Sequence, residues 1–287
     1  MKPARQPDKG SVGGSLRACV IVIAGLLAGC STVNRAKFLL PAPWFGLEAV
    51  APSVFVEKEM PIDQREIFLQ AVSLAKERTE NLFGGLAAAP EIYVCATEAC
   101  FRGFGGSTNR ANSFGKYKIL LSLRALTAPM ISHEWSHAEL YARVGGWSAV
   151  LRVPRWFDEG LAVMISEEPT HSEEIWEEAV RSDIALPALS ALETSDQWIR
   201  AVKKYRDPAL NPRNLAVVYS VAGHEVRGWY RRVGQAGLLQ LIANLREGKD
   251  FYAAYRCIPE GAERKLSSPE GRGIPKKRFK NGRVNRV

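Results

Sequence analysis

The stretch Ile131-Ser132-His133-Glu134-Trp135-Ser136-His137 contains the pattern His-Glu-x-x-His and decides how the rest of the chain is read. On a helix, positions i and i+4 stand one above the other on a single face, so both imidazoles can reach one metal ion, with Glu134 beside it. A catalytic zinc ion takes three protein ligands and keeps a fourth position for water. The stretch therefore supplies two ligands and asks for a third. The chain has only four histidines, which makes a chance pair at this spacing rare. The competing reading, two histidines on an ordinary amphipathic helix, has no need of a further ligand.

Working outward, the HExxH helix is expected over about 128–144, stopped by Gly145-Gly146. Next comes Pro154-Arg155-Trp156-Phe157-Asp158-Glu159-Gly160-Leu161-Ala162. Proline suits the first turn of a new helix, so Glu159 projects from its first or second turn. A carboxylate one short helix downstream is the missing third ligand.

HExxH followed by Trp-Phe-x-Glu-Gly-Leu-Ala resembles the gluzincin zinc metallopeptidases, in particular the peptidase-MA-like branch. The resemblance implies one Zn²⁺ per chain, bound by His133, His137 and Glu159, with Glu134 as the catalytic base. It also implies an α+β, zincin-like fold: a small N-terminal mixed sheet with an edge strand before the HExxH helix, then a mainly helical C-terminal part. In such enzymes an extended substrate lies along that edge strand, and residues 116–123 fit the role. A Tyr or His from a later helix approaches the metal from the far side. Tyr219 and His224 both lie at plausible distances, but five helical positions turn them about 140° apart, so only one can face the ion. Tyr219, in Val217-Val218-Tyr219-Ser220, is the closer match to the family segment. Some gluzincins carry Asp four residues after the glutamate ligand. Here that position is Val163, which leaves the partners of the histidines open.

The other elements are read from pattern. Residues 61–83 keep helical spacing up to Gly84-Gly85, and Glu91-Ile92-Tyr93-Val94-Cys95 is a short β-rich run after Pro90. The loop holding Gly103, Gly105 and Gly106 lacks a phosphate-binding pattern and reads as a flexible connection. Cys95 and Cys100 form a disulfide if the protein is exported and stay reduced if it is cytosolic, with Cys257 left over. The acidic run from Glu173 to Glu178 reads as a solvated helix face, and His171 before it as exposed. Residues 214–234 and 236–245 read as two helices, closed by Gly248.

At the N-terminus, basic residues precede an apolar run over 18–28 that is too short to span a bilayer, which needs about 20 residues, but suits a secretory leader. Its ending, Leu27-Ala28-Gly29-Cys30, resembles the lipobox of bacterial lipoproteins and implies lipidation of Cys30. Ser31, where a retention signal would place Asp, implies the outer membrane facing the periplasm. The expected organisation is a leader at 1–29, a tether at 30–60, the metallopeptidase domain at 61–258 and a basic disordered tail at 259–287. The net charge of +9 divides into +3 over 1–29, +6 over 260–287 and zero between them, so a nucleic-acid-binding body is excluded. The expected function is zinc-dependent hydrolysis of peptide or amide bonds at the bacterial cell envelope, on a peptide or protein substrate. The alternative is a catalytically silent, lipid-anchored binding or scaffolding protein.

Overall fold

Two runs of consecutive apolar residues, Ile92-Tyr93-Val94-Cys95 and Ile119-Leu120-Leu121, form the middle of the sheet because each is buried on both faces. The structure, a computed structural model, describes residue 37 and residues 40–259. The leader, Cys30 and nearly all of the basic tail lie outside them. After a 3₁₀ turn (Ala42–Phe45) come β1 (Leu47–Ala51), β2 (Val54–Glu57), α1 (Ile62–Phe83), β3 (Glu91–Cys95), α2 (Glu98–Gly103), β4 (Ala111–Phe114) and β5 (Lys118–Ser122). The helical remainder is α3 (Ala128–Val144), α4 (Trp147–Val150), α5 (Arg155–Ser166), α6 (Glu173–Arg181), α7 (Ser195–Lys204), α8 (Val217–Arg246) and α9 (Phe251–Cys257). The protein is α+β, as expected.

The sheet is mixed, in the order β1-β2-β3-β5-β4. The two central pairings are parallel and the two outer ones antiparallel. Alternation along β3 sorts its side chains into two cores. Ile92 and Val94 join Val54, Val56, Ile119 and Leu121 beneath Phe68 and Ala75 of α1 and Ile131 and Trp135 of α3. Tyr93 and Cys95 face the other way, towards Phe101, Phe104 and Leu47. Both cysteines are joined, with Cα atoms 5.4 Å apart, so the disulfide ties the end of β3 to α2.

Two expectations are corrected here. The stretch read as a tether runs to residue 60, yet it contains β1 and β2 of the sheet, with Leu47 and Val56 fully buried; Val54-Phe55-Val56 reads as an early strand from its pattern, whereas β1 does not. The free edge expected at residues 116–123 is not one. Instead β5 pairs with β3 on one side and β4 on the other, and the edge is β4, which lies with α2 in the stretch that reads as a flexible connection. Its sequence, Ala-Asn-Ser-Phe, has no β-branched residue, so pairing with β5 rather than propensity makes it a strand.

Helix α3 joins the two halves of the molecule. Its first turns place Ile131 and Trp135 under the sheet, and its last turns carry Leu140 and Val144 into a second, helical core with Trp156, Phe157 and Leu161 of α5 and Ala222, Val226 and Trp229 of α8. Gly145 ends it in the left-handed conformation, φ 101°. The two helices expected around Gly234 form one run bent there, where φ is 65° and ψ −170°.

Candidate metal site

Three helices set the site. The HExxH face of α3 is opposed by the first turns of α5, and α8 lies across α5 at very short range. Gly160 makes that approach possible, since a Cβ on it would lie 2.4 Å from the carbonyl oxygen of Ala222. Gly223 answers it from α8, where a Cβ would lie 2.5 Å from Val163. The Gly of Trp-Phe-x-Glu-Gly is thus a packing requirement. At the start of α5, Arg155 and Trp156 donate their backbone N–H groups to the carbonyls of Glu193 and Leu192 (2.7 and 3.0 Å), which satisfies donors that a helix end leaves open.

These contacts aim His133, His137 and Glu159 at one point. Their ligating atoms lie within 4.8 Å of one another, so the three could hold a metal ion. Glu159 Oε2 stands 3.4 Å from His133 Nε2 and 3.9 Å from His137 Nε2, and the imidazole planes are inclined by 81°. That carboxylate oxygen is buried without a hydrogen-bond partner. An orphaned, buried, ionised oxygen facing two imidazole nitrogens is costly alone and is what a cation would satisfy. The donor set therefore fits a metal.

The surrounding residues orient these groups, and a metal bound at His137 Nε2 would displace a proton from it. His137 Nδ1 donates to Asp158 Oδ1 (2.7 Å), which fixes the ring and leaves Nε2 for a metal. Arg155 pairs with Asp158 Oδ2 (2.5 Å) and with Glu159 Oε1, leaving Oε2 free. Burial would raise the Glu159 carboxyl, but Arg155 and the two imidazoles hold it far below the usual carboxylate range. Burial likewise opposes a charged His137, yet Asp158 beside it raises that imidazole to about 9. Glu134 is raised, by burial above all, against the pull of His133 and His137.

All of this lines a cavity of about 490 Å³ that also takes in Asn112 and Ser113 of β4, Tyr141, Arg155 and Tyr219. Tyr219 is on the cavity wall, and burial pushes its phenol well above the usual value. His224 is not brought to the site. Its Nδ1 pairs with Glu173 Oε1 (2.5 Å) and its ring stacks on Trp176 at 3.5 Å. His171, expected to be exposed, is half-buried and stacks on Tyr219 at 4.7 Å, its carbonyl held by Arg227 (2.9 Å). Burial lowers its imidazole to about 4, so it is neutral at neutral pH.

No protein family, curated protein or solved structure matches the chain.

Three supports of the site were not foreseen. Asp158 and Arg155 flank the third ligand, and the Arg155–Glu159 spacing of four was readable as a helical ion pair. The Asp158–His137 contact joins two helices and was not. Glu139, two residues beyond His137, is fully buried on α3. It accepts from the backbone N–H groups of Ala87 and Ala88 (2.9 and 2.7 Å) and from Arg143 (2.8 Å), anchoring the HExxH helix to the loop before β3.

Proposed function

We propose that the protein is a zinc-dependent metallopeptidase, with a zincin-like fold, that cleaves peptide or amide bonds at the bacterial cell envelope. The observation that carries the reading is the unpartnered, buried Glu159 Oε2 facing His133 and His137 Nε2 beside a cavity that also holds Glu134. Two His and one Glu are a donor set typical of catalytic zinc, since structural sites are usually closed by four Cys or His ligands. Bound there, zinc would supply Lewis acidity, polarising a carbonyl and bringing the pKa of water towards neutrality.

The chain's own residues do the rest. Glu134 takes the proton of the attacking water and delivers it to the leaving amine, a task suited to a carboxylate whose affinity for protons is raised by burial. The Tyr219 hydroxyl, kept protonated by its surroundings, donates to the developing oxyanion. Asp158 orients His137, and Arg155 keeps Glu159 ionised and turned. The free edge of β4 offers unpaired backbone groups to an extended substrate on the cavity wall. The Leu-Ala-Gly-Cys sequence supports a lipid tether through Cys30. Among the described residues no helix is long and apolar enough to cross a membrane.

The test is metal content together with cleavage. The expected result is one zinc per chain and hydrolysis of peptides that Glu134→Gln abolishes while zinc stays bound. Tightly bound zinc with no cleavage of any peptide or cell-wall amide sinks the enzyme reading in favour of a binding protein.

A further inference from the structure

The cavity wall has two unlike stretches. At the start of β4 the wall is polar, with the Asn109 amide donating to the carbonyl of Ala111 (2.7 Å) and Asn112 beside it. Elsewhere the wall carries a run of apolar side chains. His133, His137 and Tyr141 follow one another at i, i+4 and i+8 on α3, so Tyr141 stands about 6 Å beyond His137 along the helix axis. The Tyr141 ring lies against the β4–β5 turn, where a Cβ on Gly115 would sit 3.3 Å from it, and its centroid is 5.9 Å from that of Trp147. Leu151 follows Trp147 by one turn, its N–H donating to the Trp147 carbonyl (3.2 Å). Both side chains line the cavity yet are 65% and 70% exposed.

A Trp and a Leu open to solvent on the rim of a cavity, next to Tyr141 and Val150, form an apolar surface continuous with the candidate site. The charges deeper in, Arg155, Asp158 and Glu159, are paired with one another, and Glu193, also on the wall, accepts from the Tyr252 hydroxyl (2.6 Å). We propose that Tyr141, Trp147, Val150 and Leu151 form a specificity subsite that takes a bulky apolar side chain, aromatic or branched aliphatic, of a peptide lying along β4. This rests on the peptidase reading. An extended chain advances about 3.3 Å per residue, so a shelf about 6 Å past His137 receives a side chain one or two residues from the bond that is cut.

The experiment exposes the zinc-loaded full chain to a mixed-peptide library and reads cleavage sites by mass spectrometry, for the wild type, Trp147→Ser and Leu151→Arg. Both positions are exposed, so the variants keep the fold. The wild type should show Phe, Trp, Leu or Ile enriched at one position within two residues of the cut. Trp147→Ser should lower the ratio of kcat/KM for such a side chain over Asn about tenfold, and Leu151→Arg should shift the preference towards Glu. No enrichment, or enrichment that both variants leave intact, overturns the subsite while cleavage itself upholds the peptidase. Absence of any cleavage overturns the peptidase reading instead. Vesicles of anionic and neutral lipid provide the last arm: loss of vesicle binding in Trp147→Ser with an unchanged cleavage profile makes the shelf a membrane contact and overturns the subsite.

Discussion

Two clusters in this molecule are built from the same residue types and do different things. In the first, His133, His137, Asp158, Glu159 and Arg155 meet between α3 and α5. In the second, His224, Glu173 and Arg227 meet between α6 and α8. Each contains a glutamate with one oxygen engaged and the other buried without a hydrogen bond. The neighbours of that second oxygen differ. Glu173 Oε2 faces the Arg227 guanidinium at 3.5 Å, a cation already present, and the imidazole of His224 is covered by Trp176. Glu159 Oε2 faces two imidazole nitrogens on a cavity wall, with Arg155 kept to the other oxygen. The same residue types thus make an ion pair in one place and a candidate ligand set in the other, and the groups facing the second carboxylate oxygen decide which.

The sharpest way to break this comparison is to move the chemistry. Glu134→Gln should lower kcat about 10³-fold with zinc content unchanged, whereas His224→Ala should leave kcat within about twofold. Equal losses in a peptide-cleavage assay would erase the distinction between the clusters. Asp158→Ala removes the acceptor that holds His137 and is expected to weaken zinc affinity about 10- to 100-fold, read by competition with a chelator. Unaltered affinity there would mean that His137 needs no such partner.

Packing supplies a further test. Gly160→Ala forces a Cβ against the Ala222 carbonyl and should destabilise the fold by about 1–3 kcal/mol in urea denaturation, and a stable variant would show that α5 and α8 can separate without loss. The smallest effect concerns His171. Its imidazole is lowered from 6.5 to about 4 in the fold, so between those values the unfolded chain holds a proton that the folded chain does not. Stability from this source is complete above about pH 6.5 and declines as pH falls towards 4. His171→Phe should flatten the pH dependence of the urea midpoint over that interval. An identical slope in both proteins would place His171 in water and remove it from the Tyr219 wall.

The amino-acid sequence by itself determined the elements that rest on short-range pattern. Ala128–Val144 and Glu91–Cys95 were legible because helical spacing, a glycine stop and a β-rich run are local properties. His133, Glu134, His137 and Glu159 were legible for the same reason, since two spacings within two helices carry them. Only the tertiary structure decided which strand is the edge, because Ala111–Phe114 becomes a strand through its partner and not through its residues. It also put Tyr219 on the cavity wall and His224 against Glu173, and joined Asp158 to His137. Each of those contacts crosses from one element to another, and their geometry follows from how closely α3, α5 and α8 pack, a distance that Gly160 and Gly223 permit but no local pattern states.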